Sequence, residues 1–387
     1  MRLKTIIITE GKARLRIPAQ SVKNPFHQLA FFNPRMKFNR SLSTLALTAS
    51  LHAGYRPENT VLCDGLCGVG ARGVRYALES EGVKKVFFVD ANPAAVRLTK
   101  KNIALNKLQK KSEVAENDLN SFFLQHQNEF DFIEIDPFGT PTPFLENAFR
   151  ALKHSALLSV TATDLATSGG SKPQPARRHY DAHPLRCEYS HEIAARILVG
   201  RVARTAASLD FGVKPLVTFY KEHFVKTLVF CEKSAEKANA SLASLGFVNH
   251  CFSCLNRVTA KNAQEKCGEC GALFQHAGPL WTSRISDGVI LDSMLSLARK
   301  LDFSSEGERG ELVRFVELLV EENDSPPFFF DLHALSKKLR AKCPKKSEVV
   351  KALAARGFHV TETHYDGTAI KTNASARTVS EVMLSLI

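Results

Sequence analysis

The alternation of apolar and polar positions predicts that strands and helices alternate along the first 230 residues. Four short apolar runs have the length of buried strands in a parallel sheet, at residues 60–64, 86–89, 130–135 and 157–160. Helical patterns follow the first two of these runs. Residues 216–220 and 224–230 then predict an antiparallel strand pair at the sheet edge. This succession indicates an α/β fold with a Rossmann-like sheet.

Three further segments complete this half of the chain. Residues 1–20 alternate around Glu10-Gly11-Lys12 and predict a β-hairpin, and residues 43–53 and 186–209 predict helices. Residues 168–181 are polar and contain Arg177-Arg178, so we predict a loop that contacts substrate phosphates. A plain solvated loop is the alternative.

The composition changes at residues 232–240, which predicts a domain boundary between residues 1–231 and 232–387. Beyond it, residues 331–341 and 347–355 predict two helices, and residues 358–372 predict a hairpin with an Asp-Gly turn. The order resembles a winged helix in an α+β domain. Six cationic residues surround the turn between the two helices: Lys337, Lys338, Arg340, Lys342, Lys345 and Lys346. We predict that they bind the phosphate backbone of a nucleic acid, and a solvated surface is the alternative.

Charge and composition narrow the class of protein. The 387 residues contain 52 Lys plus Arg against 39 Asp plus Glu, a net charge of +13, which favours a polyanionic partner such as nucleic acid. With 44% hydrophobic residues the chain is expected to form compact cores, and we predict a monomer. The sequence shows neither a membrane-length apolar run nor a secretory signal, so we predict a cytoplasmic protein that does not associate with membranes.

Two cysteine pairs predict a metal site. Cys251-x-x-Cys254 and Cys267-x-x-Cys270 are separated by 12 residues, and each pair can direct two sulfurs at one ion. Four thiolates give a closed tetrahedral zinc site without an open position, so the predicted role is structural. Disulfides are the alternative, and a reducing compartment disfavours them.

Acidic residues follow the predicted strands. Asp64, Asp90 and Asp136 each stand where one of the first three apolar runs ends, and Asp118 ends a further short segment between the second and the third run. A glycine-rich stretch (residues 65–73) opens the first helix. Ligands bind at this edge of an open α/β sheet, and an acid after the second strand can accept both ribose hydroxyls. The alternative is that each acid merely caps a helix.

The segment Asp136-Pro137-Phe138-Gly139 places a carboxylate beside an aromatic ring. This pairing suits a planar ring with an exocyclic amine, because the ring can stack while the carboxylate accepts from the N–H groups. A turn cap with a core phenylalanine is the alternative. The segment resembles the Asp/Asn-Pro-Pro-Tyr/Phe motif of amino-methyltransferases, and the order of elements resembles class I methyltransferases that use S-adenosylmethionine.

A narrower resemblance rests on four segments, with Arg201 beside the last: Phe-Phe-Asn-Pro-Arg-Met with Asn39-Arg40 (31–40), Asp-Pro-Phe-Gly-Thr-Pro (136–141), Val-Thr-Ala-Thr-Asp (160–164) and Arg-Ile-Leu (196–198). Together they resemble the tRNA (guanine-N2)-dimethyltransferases over nearly the whole chain. The resemblance implies that one or two methyl groups pass from S-adenosylmethionine to the guanine 2-amino group at position 26 of tRNA.

The resemblance also implies site residues. Asp136 faces the guanine amine, with Phe31 and Phe138 beside the base. The predicted contacts to the methyl donor are Arg40, Asp64, Arg72, Asp90, Asp118 and Leu119. Two other functions stay open at this point: an amino-methyltransferase for another RNA or for DNA, and a non-catalytic RNA-binding protein with a degenerate donor pocket.

Overall fold

The computed structural model describes residues 4–25, 29–55, 59–300 and 306–387. The chain begins with the predicted hairpin, formed by β1 (Thr5–Glu10) and β2 (Ala13–Pro18). A 3-10 turn at Pro34–Met36 then leads into helix α1 (Lys37–His52), which is buried along most of its length.

A seven-stranded sheet forms the centre of the molecule. Its strands are, in chain order, β3 (Thr60–Gly65), β4 (Val83–Asp90), β5 (Ser112–Glu116), β6 (Phe130–Ile135), β7 (Leu152–Ala162), β8 (Phe211–Lys221) and β9 (Phe224–Lys233). The spatial order is β5-β4-β3-β6-β7-β9-β8, and only β9 runs antiparallel to the other six strands, because it pairs antiparallel with both β7 and β8. The chain reverses its direction of travel across the sheet between β3 and β6, where open α/β sheets bind ligands. The predicted Rossmann-like fold is confirmed.

Helices cover both faces of this sheet: α2 (Ala71–Glu79), α3 (Pro93–Leu105), α4 (Leu119–Gln125), α5 (Thr142–Ala151), α6 (Leu165–Ser168), α7 (Pro173–Tyr180) and α8 (Ser190–Ala207). Successive residues of β6 point to opposite faces of the sheet. Phe132 packs into the core on the side of α1 to α3, and Ile133 packs into the core on the side of α4, α5 and α8. The prediction of a polar loop at residues 168–181 is wrong. Pro173 stands at the first turn of α7, where proline is favoured because no amide partner is needed there.

The rest of the chain contributes two small sheets and six helices in its described part. Helix α9 (Ala235–Ala243) precedes β10 (Leu245–His250), β11 (Arg257–Ala260) and β12 (Gln275–Trp281), which pair in the order β11-β10-β12. Helices α10 (Gly288–Lys300) and α11 (Glu306–Glu322) follow. The tail contains β13 (Phe330–Asp331), α12 (Leu332–Leu339), α13 (Lys346–Ala355), β14 (Val360–Thr361), β15 (Ala369–Thr372) and α14 (Ala376–Ser385), with strand order β13-β15-β14. The two predicted helices and the hairpin are present.

The two halves of the chain share a hydrophobic core. Ile290, Leu291 and Met294 of α10 belong to the cluster that contains Leu42 and Leu45 of α1. The boundary between residues 231 and 232 stays a prediction. Across the described ranges, no helix combines the length and the apolar composition of a bilayer span.

Candidate active site

The turn between β3 and α2 is shaped by residues in left-handed conformation. Leu66, Gly68 and Gly70 have φ values of 60°, 58° and 74°, and the chain therefore folds back on itself before α2 begins. At Gly73 a Cβ would lie 2.4 Å from the Phe88 ring, so only glycine lets α2 lie this close to the sheet.

Asp64 anchors this turn from below. Its Oδ2 accepts a hydrogen bond of 2.8 Å from the Gly73 amide, and its side chain is buried. Burial raises the pKa of Asp64 from 3.8 to about 7, although Arg72 opposes the rise. The structure therefore places Asp64 under the glycine-rich turn, and its contact with a donor stays a prediction.

Asp90 stands at the end of β4 and faces a cavity. Its Oδ2 accepts from the Gly68 amide and its Oδ1 from the Asn92 amide, each at 2.8 Å. These two bonds fix the carboxylate between the glycine turn and the start of α3. Because each carboxylate oxygen can accept more than one hydrogen bond, Asp90 keeps acceptor capacity for the hydroxyls of a ribose.

Asp118 and Leu119 lie beside the site, not at its centre. Asp118 is the N-cap of α4, where Oδ1 accepts from the Ser121 amide at 2.9 Å. Leu119 is buried, and a Cβ on Gly65 would lie 2.9 Å from its Cδ2. Leu119 thus packs against the end of β3, and a contact from this pair to an adenine ring stays a prediction.

Arg40 of α1 reaches the same cavity and is held on its other side by the N-terminal hairpin. Its Nε and Nη2 donate to the two carboxylate oxygens of Glu10, and its guanidinium also donates to the Asn33 carbonyl. Burial alone would raise the pKa of Glu10, but Arg40 and Arg75 outweigh burial and lower the pKa to about 2. Arg40 is therefore a fixed cation at the edge of the cavity.

Asp136 follows β6 and is held on one side only. Its Oδ2 accepts from Nη2 of Arg72, whereas within the described residues its Oδ1 has no hydrogen bond. The side chain is 24% exposed and lines the cavity. Burial opposes ionisation, but the charges of Arg72 and Lys226 outweigh it, and the pKa of Asp136 lies below its ordinary 3.8. Asp136 is thus a carboxylate with one oxygen available for a ligand.

A second buried acid lies behind Arg72. Glu134, two residues before Asp136 on β6, accepts from Tyr76 Oη at 2.8 Å and from Lys226 Nζ, and it lies 3.7 Å from Arg72 Nε. Burial lowers the pKa of Lys226, and Glu134 counteracts that effect. Sequence reasoning missed this group, although an acid inside the apolar run of β6 and a lysine inside that of β9 were visible signals.

The cavity has a volume of about 480 Å³ and an aromatic wall. The Phe31 and Phe138 rings meet edge to face, with centroids 4.6 Å apart, and Phe138 is 70% exposed. The Gly139 amide donates to Thr163 Oγ1 at 2.8 Å, which ties the segment after β6 to the end of β7. An exposed aromatic ring beside an available carboxylate oxygen can receive a planar, amine-bearing ring.

The structure brings together five of the nine predicted active-site residues: Phe31, Arg40, Asp90, Asp136 and Phe138 all line the cavity. The other four surround it, since Asp64 and Arg72 lie beneath it and Asp118 and Leu119 lie beside it. Sequence reasoning also missed Thr163 and His223, which line the cavity from the end of β7 and from the turn between β8 and β9.

The four predicted metal ligands form a separate cluster. The sulfurs of Cys251, Cys254, Cys267 and Cys270 all lie within 4.8 Å of one another, and two of the separations are 3.5 and 3.6 Å. A tetrahedral zinc site with Zn–S bonds of about 2.3 Å has sulfur–sulfur edges of about 3.8 Å. The cluster has the size and the ligand chemistry of such a site.

The strand order, the glycine turn after β3 and the acids that face one cavity define a Rossmann-like α/β protein of the class I methyltransferase type. The sequence profile of the N2,N2-dimethylguanosine tRNA methyltransferase family matches residues 11–384, and the chain belongs to this family. The family predicted from the sequence is confirmed.

Individual relatives agree with this assignment. The chain is 33% identical over 385 residues to a protein of Methanothermobacter thermautotrophicus named tRNA (guanine(26)-N(2))-dimethyltransferase, with 99% of both chains covered. It is 32% identical to an Aquifex aeolicus protein named tRNA (guanine(26)-N(2)/guanine(27)-N(2))-dimethyltransferase, covering 98% of this chain and 96% of that one. The structure of Trm1 from Pyrococcus horikoshii with S-adenosyl-L-methionine superposes with a TM-score of 0.87 at 30% identity, covering 98% and 99% of the two chains.

Proposed function

We propose that this protein transfers one or two methyl groups from S-adenosylmethionine to N2 of guanine 26 in tRNA. Family membership supports the reaction class. The observation that carries the proposal is the geometry of Asp136, which offers one carboxylate oxygen to a cavity while Arg72 holds the other. Asp90 and Phe138 line the same cavity, so a donor and a planar base can meet there.

Asp136 orients the amine that is methylated. The lone pair of a guanine amine is delocalised into its ring, so the amine is a poor nucleophile. Oδ1 of Asp136 accepts a hydrogen bond from this amine and favours the geometry in which the nitrogen lone pair points at the methyl group. Alignment of both reactants is the main source of rate. Because the pKa of Asp136 is low, the carboxylate does not retain the released proton at neutral pH, and the proton passes to water.

The methyl donor occupies the part of the cavity beside the glycine turn. When bound, S-adenosylmethionine supplies an electrophilic methyl group on a sulfonium centre. Asp90 accepts from its ribose hydroxyls, Arg40 offers a fixed positive charge to its carboxylate, and Leu119 with Asp118 borders its adenine. Asp64 and Arg72 support the site indirectly: Asp64 holds the glycine turn through the Gly73 amide, and Arg72 holds Asp136.

Two aromatic rings stabilise the target base outside the tRNA stack. Extruding a stacked base costs about a few kcal/mol. Stacking on an aromatic ring returns about 1–3 kcal/mol per base, and Phe138, exposed beside Asp136, is placed to provide it with Phe31 at its edge.

The C-terminal half binds the tRNA backbone. The tail has the helix–helix–hairpin order of a winged helix, and exposed cations surround the turn between α12 and α13, among them Lys337, Arg340 and Lys342. Helix α7 exposes Arg177 and Arg178 close to the cavity, because Tyr180 donates to Asp164, which follows cavity residue Thr163. We assign these cations to phosphate contacts.

The four-cysteine cluster holds a structural zinc ion. Its ligands are all thiolates, which leaves no position for a substrate. All nine cysteines lie in the described ranges and are free thiols there. We assign the protein to the cytoplasm, where thiols stay reduced, and propose that it is a monomer.

The function is tested with purified protein, S-adenosylmethionine and an unmodified tRNA transcript. Mass spectrometry of the nucleosides is expected to show N2-methyl- and N2,N2-dimethylguanosine, and a transcript with adenine at position 26 is expected to yield neither. Absence of both products from the guanine-26 transcript would overturn the proposal.

Asp136→Asn supplies the residue-level test. The amide cannot accept as strongly, so we expect the methylation rate to fall by about 10²–10³-fold while tRNA affinity stays within a few fold. Asp210→Asn is the matched control, because Asp210 is an exposed acid in a left-handed turn that asparagine tolerates. Normal dimethylation by Asp136→Asn would rule out the role of Asp136.

A further inference from the structure

Lys226 is a buried lysine outside the cavity. It lies on β9 opposite Thr161 of β7, and its Nζ donates to Thr161 Oγ1 at 3.0 Å and to Glu134. Only 2% of the residue is exposed, and it does not line the cavity, so it cannot touch a substrate. Burial of an ammonium group is costly without a carboxylate partner, which indicates that the pair has a role in the fold or the site.

Arg72 lies between two acids that compete for it. Its Nη2 donates to Asp136, its Nε lies 3.7 Å from Glu134, and its Nη1 donates to Asn39 at 3.1 Å and to Ser43 at 2.8 Å. Its donors are thus directed mainly into the protein. Whichever acid carries the larger uncompensated charge draws the guanidinium toward itself.

Lys226 determines which of the two acids binds Arg72, because Lys226 bonds to the oxygen of Glu134 that faces Arg72. Both Lys226 Nζ and Arg72 Nε approach Oε1, while Tyr76 bonds to Oε2. With Glu134 neutralised by Lys226, Arg72 remains bound to Asp136.

We propose that Lys226 is a positioning residue for methyl transfer: it compensates Glu134 and thereby keeps Arg72 on Asp136. This inference rests on the proposed function, because the reaction is what reports the state of Asp136. Without Lys226, Glu134 attracts Arg72, and Asp136 loses the cation that keeps it ionised and oriented. The charged and titratable groups that act around Asp136 and Glu134 in this network are Arg72 and Tyr76 of α2, Arg40 of α1, Asp64 of β3 and Lys226 of β9.

The test compares the pH dependence of tRNA methylation in four proteins. These are the wild type, Lys226→Met, the double variant Lys226→Met with Glu134→Gln, and Lys85→Met. Lys85 forms a solvent-exposed pair with Glu113 at the far edge of the same sheet and is the matched control. Single-turnover rates are measured from pH 5 to pH 8.5, and thermal melting reports folding.

We expect the ratio of the Lys226→Met rate to the wild-type rate to fall about tenfold between pH 8 and pH 5. A buried carboxylate that loses its cation protonates at higher pH, which produces this decline. The double variant removes the competing acid as well, so Arg72 returns to Asp136 and the ratio becomes independent of pH. Lys85→Met is expected to match the wild type throughout.

The outcomes separate the two proposals. If the wild type does not methylate guanine, the proposed function fails. If the wild type methylates but Lys226→Met shows an unchanged profile, or if the double variant declines as steeply as Lys226→Met, the positioning role is overturned. If Lys226→Met fails to fold, Lys226→Gln replaces it under the same criteria, and an acid-sensitive profile of the double variant refutes the role.

Discussion

Glu10 and Arg40 form a buried ion pair in which Nε and Nη2 of the arginine each donate at 2.7 Å to a different oxygen of the carboxylate. Glu10 belongs to the N-terminal hairpin and Arg40 to α1, so the hairpin acts on the cavity without lining it. Arg75 of α2 joins the same carboxylate at 3.2 Å. One acid thus connects the hairpin, α1 and α2 beside the cavity to which we assign the methyl donor.

Glu10→Gln is predicted to weaken donor binding and to destabilise the fold. The amide leaves two buried arginines without a compensating charge, and breaking a buried pair from one side costs about 3–5 kcal/mol. We expect a higher dissociation constant for S-adenosylmethionine by calorimetry and a lower free energy of unfolding in urea. Glu146→Gln, which alters an exposed pair with Arg150, is the control and is expected to change neither. Wild-type values for Glu10→Gln would contradict the prediction.

The same pair predicts how stability depends on pH. The pKa of Glu10 is lowered from 4.5 to about 2 in the folded protein, so its stabilising contribution is complete above pH 4.5 and is lost as the pH falls toward 2. The stability advantage of the wild type over Glu10→Gln is therefore expected to shrink by about 3 kcal/mol between pH 5 and pH 2. Urea unfolding at a series of pH values measures this difference, and a constant advantage would show that the pair does not titrate as described.

Gly73→Ala is predicted to disrupt the glycine turn. Its Cβ would meet the Phe88 ring at 2.4 Å and Asp64 Oδ2 at 2.8 Å, and overpacking of this kind costs about 1–3 kcal/mol. Thermal unfolding and donor titration are expected to show a lower Tm and a weaker affinity. Gly367→Ala serves as the comparison, since a Cβ there meets nothing within 4 Å. Equal effects of the two substitutions would argue against a steric cause.

Phe138→Ala is predicted to affect the reaction more than the fold. The ring is mostly exposed, so its removal costs little stability, but the extruded base loses a stacking partner worth about 1–3 kcal/mol. We expect kcat/KM for tRNA to fall by about 5–150-fold with Tm nearly unchanged. Leu124→Ala removes another exposed apolar side chain, on α4, and is expected to leave kcat/KM unaltered. An undiminished kcat/KM in Phe138→Ala would exclude the stacking role.

Cys254→Ser is predicted to release zinc and to loosen the C-terminal half. Elemental analysis is expected to find about one zinc per wild-type chain and much less in the variant, together with a lower Tm and weaker tRNA binding. Donor affinity is expected to persist, because the cluster is separate from the cavity. Cys187→Ser, outside the cluster, controls for the loss of a thiol. A metal-free wild type with full stability would refute a structural zinc site.

Local sequence patterns were sufficient to predict the central sheet and part of the candidate active site. Strands that end in an acid show in the sequence because apolar runs and turn residues are local signals. Asp90 and Asp136 could therefore be assigned to one edge before the structure was known. The path of residues 168–181 was misjudged, because the helix-starting role of Pro173 was outweighed by the polarity around it.

The supporting interactions could not be predicted, since they join positions far apart in the chain. Glu10 and Arg40 are 30 residues apart, and Glu134 and Lys226 are 92 apart. The same holds for Arg72: the family resemblance implied a contact with the methyl donor, whereas the fold directs Nη2 of Arg72 at Asp136. Which partner a buried charge selects is decided by tertiary packing, and periodicity carries no information about it.

Helix α1 has consequences for how the protein is synthesised. One side of this helix rests on α2 and the other on α10, which the ribosome produces more than 230 residues later. During translation the apolar side chains of α1 that later pack against Ile290 and Met294 therefore stay in contact with water or with chaperones. We expect the first half of the nascent chain to complete its packing only after α10 has emerged from the ribosome.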